Sequence, residues 1–424
     1  MKLPHAVSVL VILGSCAIPL AAGIAGCAGN AAPGAAAVAG AAPARPVQAA
    51  APAPAPMTTG ERVSLLNQSF DIASLIPPEP HAKDRAKAQE AVALACLDLG
   101  MVEQADYLAR RIDGWRRGEA LGLAGQRYAA AGNADAARRC AMQAAEAAGG
   151  DDSWTGERVM SLVAGTYARL GDEQAAARAL TGVSQRALGS YEAARAPVVK
   201  DAELDGLAAS FDRAFALQDL DFARGAFEGY CALLDRVQSD APRRERALRS
   251  IDASIKGFPL DLQVTNLCRV ADWLSAHGDA AGARERIDLA AAVLAATTFQ
   301  AEDVVPLGMS VARSRMRAGD AAAARADIER LRGAYDAKVE YIVDLRRGMS
   351  LRALAEGWAL LGERDAALRC WAEALEAGVL NPNSRPRAED LAATVLSMAV
   401  AGVAPTPAMR ARIDAIRSGL ADPW

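Results

Sequence analysis

The feature that most constrains this chain is a recurring glycine that interrupts runs of small and apolar residues repeating at helical spacing. The clearest case lies in residues 117–148. Leu121, Ala124, Gly125 and Tyr128 fall at i, i+3, i+4 and i+7, which sets them on one stripe of a helix, with Gly125 leaving room for a partner helix. Gly132-Asn133 breaks that helix, because both residues tolerate the left-handed backbone that ends a helix. Ala137, Ala141 and Ala144 then repeat the spacing on a second helix. The product is a helical hairpin with one apolar face still uncovered. Such a face needs a neighbour, so hairpins of this kind stack.

Composition narrows the class further. The chain is 52% hydrophobic but only 5% aromatic, so its core is built from Ala, Leu and Val, and helices must approach closely. Long period-two alternation is missing and alanine is the best helix former, which together predict an all-α fold. A net charge of −4 argues against a nucleic-acid footprint. The basic residues are mostly Arg, with Lys at positions 2, 83, 87, 200, 256 and 338 alone.

The turn marker recurs at Gly100, Gly132, Gly171, Gly278, Gly319, Gly362 and Gly402. Around Gly171 stand Met160, Ala164, Tyr167, Ala176 and Leu180. Around Gly278 stand Leu267, Ala271, Leu274, Ala283, Ile287 and Ala290, and around Gly362 stand Leu351, Ala355, Trp358, Ala367, Trp371 and Ala374. Residues 117–148 and these copies resemble the tetratricopeptide repeat. The resemblance implies a right-handed α-solenoid of stacked helical hairpins. Most spacings between neighbouring markers, 39 to 43 residues, exceed the ~34 of a standard unit, so helices or turns are longer here. Gly171 and Gly278 lie 107 residues apart, yet helical periodicity persists between them through Leu207, Phe211, Ala214 and Phe215, then Phe222, Ala226, Phe227, Tyr230 and Leu233. Residues 184–262 therefore read as divergent middle repeats or as a helical insert. The expected organisation is a capping segment at 58–83, repeats at 84–183 and 263–424, and a terminal unit whose second helix starts late, at Pro405–Met409.

Ahead of the repeats, Met1-Lys2 precedes an apolar run that ends in Ile24-Ala25-Gly26-Cys27, which resembles a bacterial lipoprotein signal over residues 1–26. Cys27 is the expected lipidation site, with Cys16 as the competing match. Residues 27–57 are almost wholly Ala, Gly and Pro and read as an extended tether of up to roughly 90 Å. The resemblance implies a lipid-anchored protein of the cell envelope, at the outer membrane facing the periplasm.

No pattern for chemistry emerges. His81 and His277 are far apart in sequence, and no His-Glu-x-x-His, Cys-x-x-Cys, calcium-loop, phosphate-loop or nucleophile-elbow motif occurs, so no metal or cofactor is expected. His277, just before Gly278, reads as a helix-capping residue. Cys96, Cys140, Cys231, Cys268 and Cys370 read as buried thiols, with a Cys231–Cys268 bridge as an alternative. Tetratricopeptide repeats bind peptides along their first helices. Carrying those positions over gives Glu119 and Gln126, then Arg158, Ser161 and Arg169, then Thr265, Asp272 and Ser275. Met309, Arg313, Met316 and Arg317 follow, and then Arg352 and Glu356. The arginines among them favour a partner bearing carboxylates. The resulting expectation is a non-catalytic, protein-binding scaffold. The alternatives are an enzyme or ligand-binding protein with a pocket in 184–262, and a purely structural spacer.

Overall fold

The structure, a computed structural model, describes residues 57–149 and 153–424. The expected signal peptide, both candidate anchor cysteines and the Ala/Pro tether up to Pro56 lie outside the described residues. Within them the chain is all-α, with nineteen helices and no strand. In order these are α1 (Thr59–Ala73), α2 (Pro78–Asp98), α3 (Val102–Ala109), α4 (Trp115–Ala130), α5 (Ala134–Ala148), α6 (Trp154–Arg169) and α7 (Glu173–Ala179). The middle helices are α8 (Gly189–Arg195), α9 (Leu204–Ala216), α10 (Leu220–Arg236) and α11 (Ala241–Ile255). The later units are α12 (Leu260–Ala276), α13 (Ala280–Ala296), α14 (Ala301–Arg317), α15 (Ala321–Lys338), α16 (Asp344–Leu360), α17 (Arg364–Gly378), α18 (Ser384–Ala401) and α19 (Pro407–Ser418).

The glycine markers work as their chemistry requires. All seven have φ between +70° and +85°, where an L side chain is strained. Each time, the amide one residue beyond the glycine donates to the carbonyl four residues before it, as in Asn133 to Tyr128, Asp172 to Tyr167, Asp279 to Leu274 and Asp320 to Arg315. In these four turns the same Asn or Asp side chain caps the next helix by accepting the amide three residues on, at 2.8–3.2 Å. One short segment therefore closes one helix and opens the next.

Consecutive first helices pack side by side and parallel. Along α4 and α6, Gly118 lies against Val159, Gly122 against Leu162 and Gly125 against Thr166, so the two rise together. A Cβ at Gly122 would sit 2.8 Å from that of Leu162, so the close approach requires glycine. The same parallel register holds for α6 with α8 through Ser161–Tyr191 and Gly165–Ala194, and for α12 with α14 through Cys268–Ser314 and Asp272–Arg317. The middle segment thus continues the stack, with α8 packed on both α6 and α10.

The stack then closes on itself. Helix α18 runs parallel to α2, with Arg385 reaching Asp84 at 3.3 Å, and antiparallel to α1, with Ser69 Oγ donating to the Ala392 carbonyl at 2.8 Å and Arg62 beside Gly402. The segment expected to cap the first hairpin instead finds its main partner at the other end of the chain, against α18 rather than α2. In place of the outer partner that α5 gives α4, α18 has α1, while α19 makes only slight contact with it. The result is a ring whose closing hairpin is built from both ends of the chain. First helices touch their neighbours directly, except that α10 meets α12 through side-chain pairs such as Arg269–Glu228, whereas second helices mostly reach one another through long pairs such as Arg332–Glu373 and Arg286–Asp252. The closer-packed set occupies the shorter circumference, so the first helices form the inner wall.

Two apolar cores follow the ring. One joins α14, α16, α18, α1 and the units through α7, and the other runs from Ala196 to α14. They meet on α14, whose Val305 and Met309 face one core while Leu307 and Val311 face the other. Phe70 of α1 is fully buried in the first core. Phe70→Ala should cost about 3–5 kcal/mol. Because α1 covers α18, hydrogen-exchange protection of residues 384–401 should fall with it; full protection there in the variant would show that α18 does not depend on the closure.

Candidate functional site

The inner wall carries the polar positions singled out in the sequence, and the chain itself supplies their partners. Arg116 of α4 pairs with Glu90 of α2, and Arg158 of α6 pairs with Glu119 of α4. Arg269 of α12 grips Glu228 of α10 with two bonds of 2.6 and 2.8 Å, and Arg317 of α14 pairs with Asp272 of α12. Onward from there, Arg313 of α14 meets Glu356 of α16 at 3.0 Å, Arg352 of α16 meets Asp390 of α18 at 2.9 Å, and Arg385 reaches Asp84 of α2. These pairs form a ladder around the wall, interrupted only at α8, where Ser161 Oγ accepts the Tyr191 amide at 3.0 Å.

The ladder changes polarity at two helices. Up to α14, each acid receives an arginine from the following unit; beyond it, each arginine reaches forward to an acid. Helix α14 therefore donates in both directions, through Arg313 and Arg317, and α2 accepts in both directions, through Glu90 and Asp84. Arg352 and Asp390 are each 13% exposed, so their mutual attraction is little screened. Glu356 is fixed from a second side by Ser397 Oγ, which in turn accepts Nε1 of the buried Trp371.

The other positions divide. Gln126 is half-buried and donates to the Leu162 carbonyl at 3.2 Å, and Met316 is half-buried on the wall. Thr265 bonds within its own helix, to the Asp261 carbonyl at 3.1 Å. Met309 and Ser161, expected to face a groove, are fully buried instead. Met309 fills the space left by Gly357 of α16, and Ser161 is consumed by the α8 amide. Ser275 Oγ is buried without a hydrogen-bond partner. Arg169 stands apart from the ladder: it forms no ion pair among the described residues, and its Nε is buried without a hydrogen-bond partner. Burial and the neighbouring Arg127 hold its guanidinium below the usual range. Arg127 also lies beside Asp98, which burial pushes up to about 6 against the pull of that arginine. Arg169 was among the positions carried over by repeat register, whereas Arg127 did not stand out in the sequence, because Arg occurs on nearly every helix.

The middle segment holds a packed core. Phe211, Phe227, Tyr230 and Phe258 are buried, Phe211 and Tyr230 meet edge to face at 5.1 Å, and Gly229 leaves room for the Phe211 ring. The Tyr230 hydroxyl lies 2.5 Å from Asp212. The cavity beside them is about 10 Å³, room for roughly one water. No disulfide joins Cys231 to Cys268, and burial pushes the Cys96, Cys140 and Cys268 thiols up to about 12, where they stay protonated. His277 does close α12, its Nδ1 lying 2.7 Å from the Trp273 carbonyl and its ring stacked on that indole. Among the described residues no group of His, Cys, Asp and Glu is arranged to hold a metal, and no helix is long and apolar enough to cross a membrane.

No protein-family profile matches the sequence, and no curated protein matches it. Among solved structures it is similar to one described as "Circular tandem repeat protein with novel repeat topology and enhanced subunit contact surfaces", at 15% identity over 84% of this chain and 94% of that chain, with a TM-score of 0.22. Ring closure here rests on the contacts described above and not on that likeness.

Two outcomes follow for the wall. Arg352→Met should destabilise the ring by about 1–3 kcal/mol, because Asp390 is left buried and uncompensated, and adding Asp390→Leu should recover most of the loss. Denaturant midpoints of the two variants check this. Burial and the nearby Glu119 carboxylate raise the Glu90 carboxyl from 4.5 to about 7. The folded chain then binds more protons than the unfolded chain between those values, so stability should fall as pH rises from about 4.5 to about 7. Glu90→Gln should flatten that slope in melting temperatures measured across the same range.

Proposed function

We infer that this chain is a binding scaffold of the bacterial cell envelope, similar in plan to tetratricopeptide-repeat lipoproteins, anchored by lipid at Cys27 and without catalysis of its own. The supporting observation is the division of labour on the inner wall. Arg158, Arg313, Arg317 and Arg352 are engaged by Glu119, Glu356, Asp272 and Asp390, which keeps the wall near electroneutral and rigid. Arg169 is left without an ion pair among the described residues, and an unpaired, partly buried guanidinium is the group that gains most from an incoming carboxylate, with the exposed Arg127 adding positive charge beside it. The partner is then a protein or peptide segment carrying Asp, Glu or a terminal carboxylate. It would run along the wall past Gln126 and Arg169, with Met316 offering an adaptable apolar contact further round. The Cys27 anchor and the tether would hold the ring within reach of the membrane while leaving it free to turn.

Photo-crosslinking in the native host tests this reading. A photoreactive residue at Gln126 or Met316 should trap a discrete partner, whereas one at Leu289, exposed on the outer wall, should not. Arg127→Glu with Arg169→Glu should weaken that trapping roughly tenfold or more, since each exchange replaces an attraction with a repulsion. Equal trapping from both walls would overturn the assignment.

A further inference from the structure

The joints around the inner wall are not alike. Where neighbouring first helices pack closely, small residues let them. Gly122 meets Leu162 between α4 and α6, Gly165 meets Ala194 between α6 and α8, Gly189 and Gly225 meet backbone to backbone between α8 and α10, and Gly357 receives Met309 between α14 and α16. Between α10 and α12 bulk takes their place. Helix α12 carries no glycine, and the two on α10 face Gly189 and Phe211. Long side chains span this joint: Arg269 reaches Glu228 at 2.6 and 2.8 Å with its guanidinium 4.9 Å from the centre of the Phe227 ring, and Trp273 Nε1 donates to Asp235 at 2.7 Å. Phe258, in the connection into α12, meets Phe227 edge to face at 6.1 Å, so the apolar core passes through unbroken. A small rotation here slides side chains past one another, whereas at a glycine joint it drives backbone into backbone. The other loose joint is the seam, where α18 and α2 touch only slightly and α1 supplies most of the apolar cover. Five first helices, α2 to α10, separate the two joints on one side and four, α12 to α18, on the other, so they lie nearly opposite each other.

We propose that the ring is a hinged clamp, two arms that pivot at the α10–α12 joint and part at the α18–α2 seam when α1 leaves α18. Helix α1 is built as the latch. It is joined to the first arm through the connection to α2, yet its main packing is on α18, at the end of the second arm. Gln89 Nε2 of α2 donates to Ser74 Oγ at 2.9 Å, which holds that connection on the first arm. The latch can therefore swing about its last residue while α2 stays in place. Detaching one helix from one apolar face is a local event, of lower free energy than unfolding hairpins that are covered on both sides. The use of the opening rests on the binding reading above. A closed ring admits a chain only by its free end, whereas an open clamp takes in a segment from the middle of a chain and then encircles it. The partner is then an internal acidic segment. The latch and the hinge themselves do not depend on that reading.

The test is made on the full chain without a partner, by double electron–electron resonance between spin labels at exposed positions. Tyr107 of α3 with Leu360 of α16 spans the two arms, while Tyr107 with Met142 of α5, and Leu289 of α13 with Leu360, each lie within one arm. Phe70→Ala should give the cross-arm pair a second separation, longer by about 10 Å or more, the diameter of a helix. Both within-arm pairs should keep a single separation. Ser69→Ala, which removes the bond to the Ala392 carbonyl, should act in the same direction to a smaller extent, and it takes over where Phe70→Ala loses its helical signal. Glu228→Ala with Asp235→Ala, added to the latch variant, should lengthen the open separation further, because the hinge then loses two of its restraints. An unchanged cross-arm separation in the folded latch variants would overturn the clamp, and so would within-arm pairs that lengthen equally, since the ring would then loosen everywhere. No further lengthening from the hinge substitutions would overturn the pivot at α10 and α12. A clamp that opens while photoreactive residues at Gln126 trap nothing would support the hinge and sink the binding reading instead.

Discussion

The packing of α1 against α18 is the contact on which the rest of the ring depends. A stack of helical hairpins ends in two uncovered apolar faces, and each must be met by a polar cap or by something else. Here each end covers the other: Leu65, Leu66, Phe70 and Ile72 of α1 bury themselves in a core shared with Leu391, Val395 and Met398 of α18. An element at residue 70 and another near residue 392 are thereby held in one apolar cluster, and the chain has no terminal hairpin in the ordinary sense.

Closure explains the inner wall. In an open stack each unit can shift slightly relative to its neighbours, but in a ring the small rotations between units must sum to a full turn. Cross-unit pairs such as Arg313–Glu356 and Arg352–Asp390 fix that rotation unit by unit. Their alternation balances the charge that a narrow concave surface would otherwise concentrate. The reversal of polarity at α14 coincides with the place where the two apolar cores meet on opposite faces of one helix.

Much of this was legible from local pattern. The turn glycines, the small-residue stripes and the late start of α19 depend on interactions within a few residues, and the structure has them where the spacing put them. Two clues to closure were present as separate oddities: an extra helix before the first hairpin, and a final unit whose second helix starts late. One supplies what the other lacks, but the match is visible only once they are side by side. The binding positions were less legible. Transfer by repeat register put Met309 on the groove, yet Gly357 in the next unit draws that side chain into the core. Likewise, arginines expected to await a partner's carboxylates had carboxylates of the neighbouring units within reach, in positions that no single repeat reveals.

The sequence by itself determined the helices, the turns between them and the need for each hairpin to have a neighbour, because helical periodicity and left-handed glycines act over one or two turns of chain. Only the tertiary structure decided that the neighbours form a closed ring and that most of the wall's arginines are engaged while Arg169 is not. Those features are set by the angle accumulated from unit to unit and by side chains some forty or more residues apart, a length scale on which local pattern carries no information.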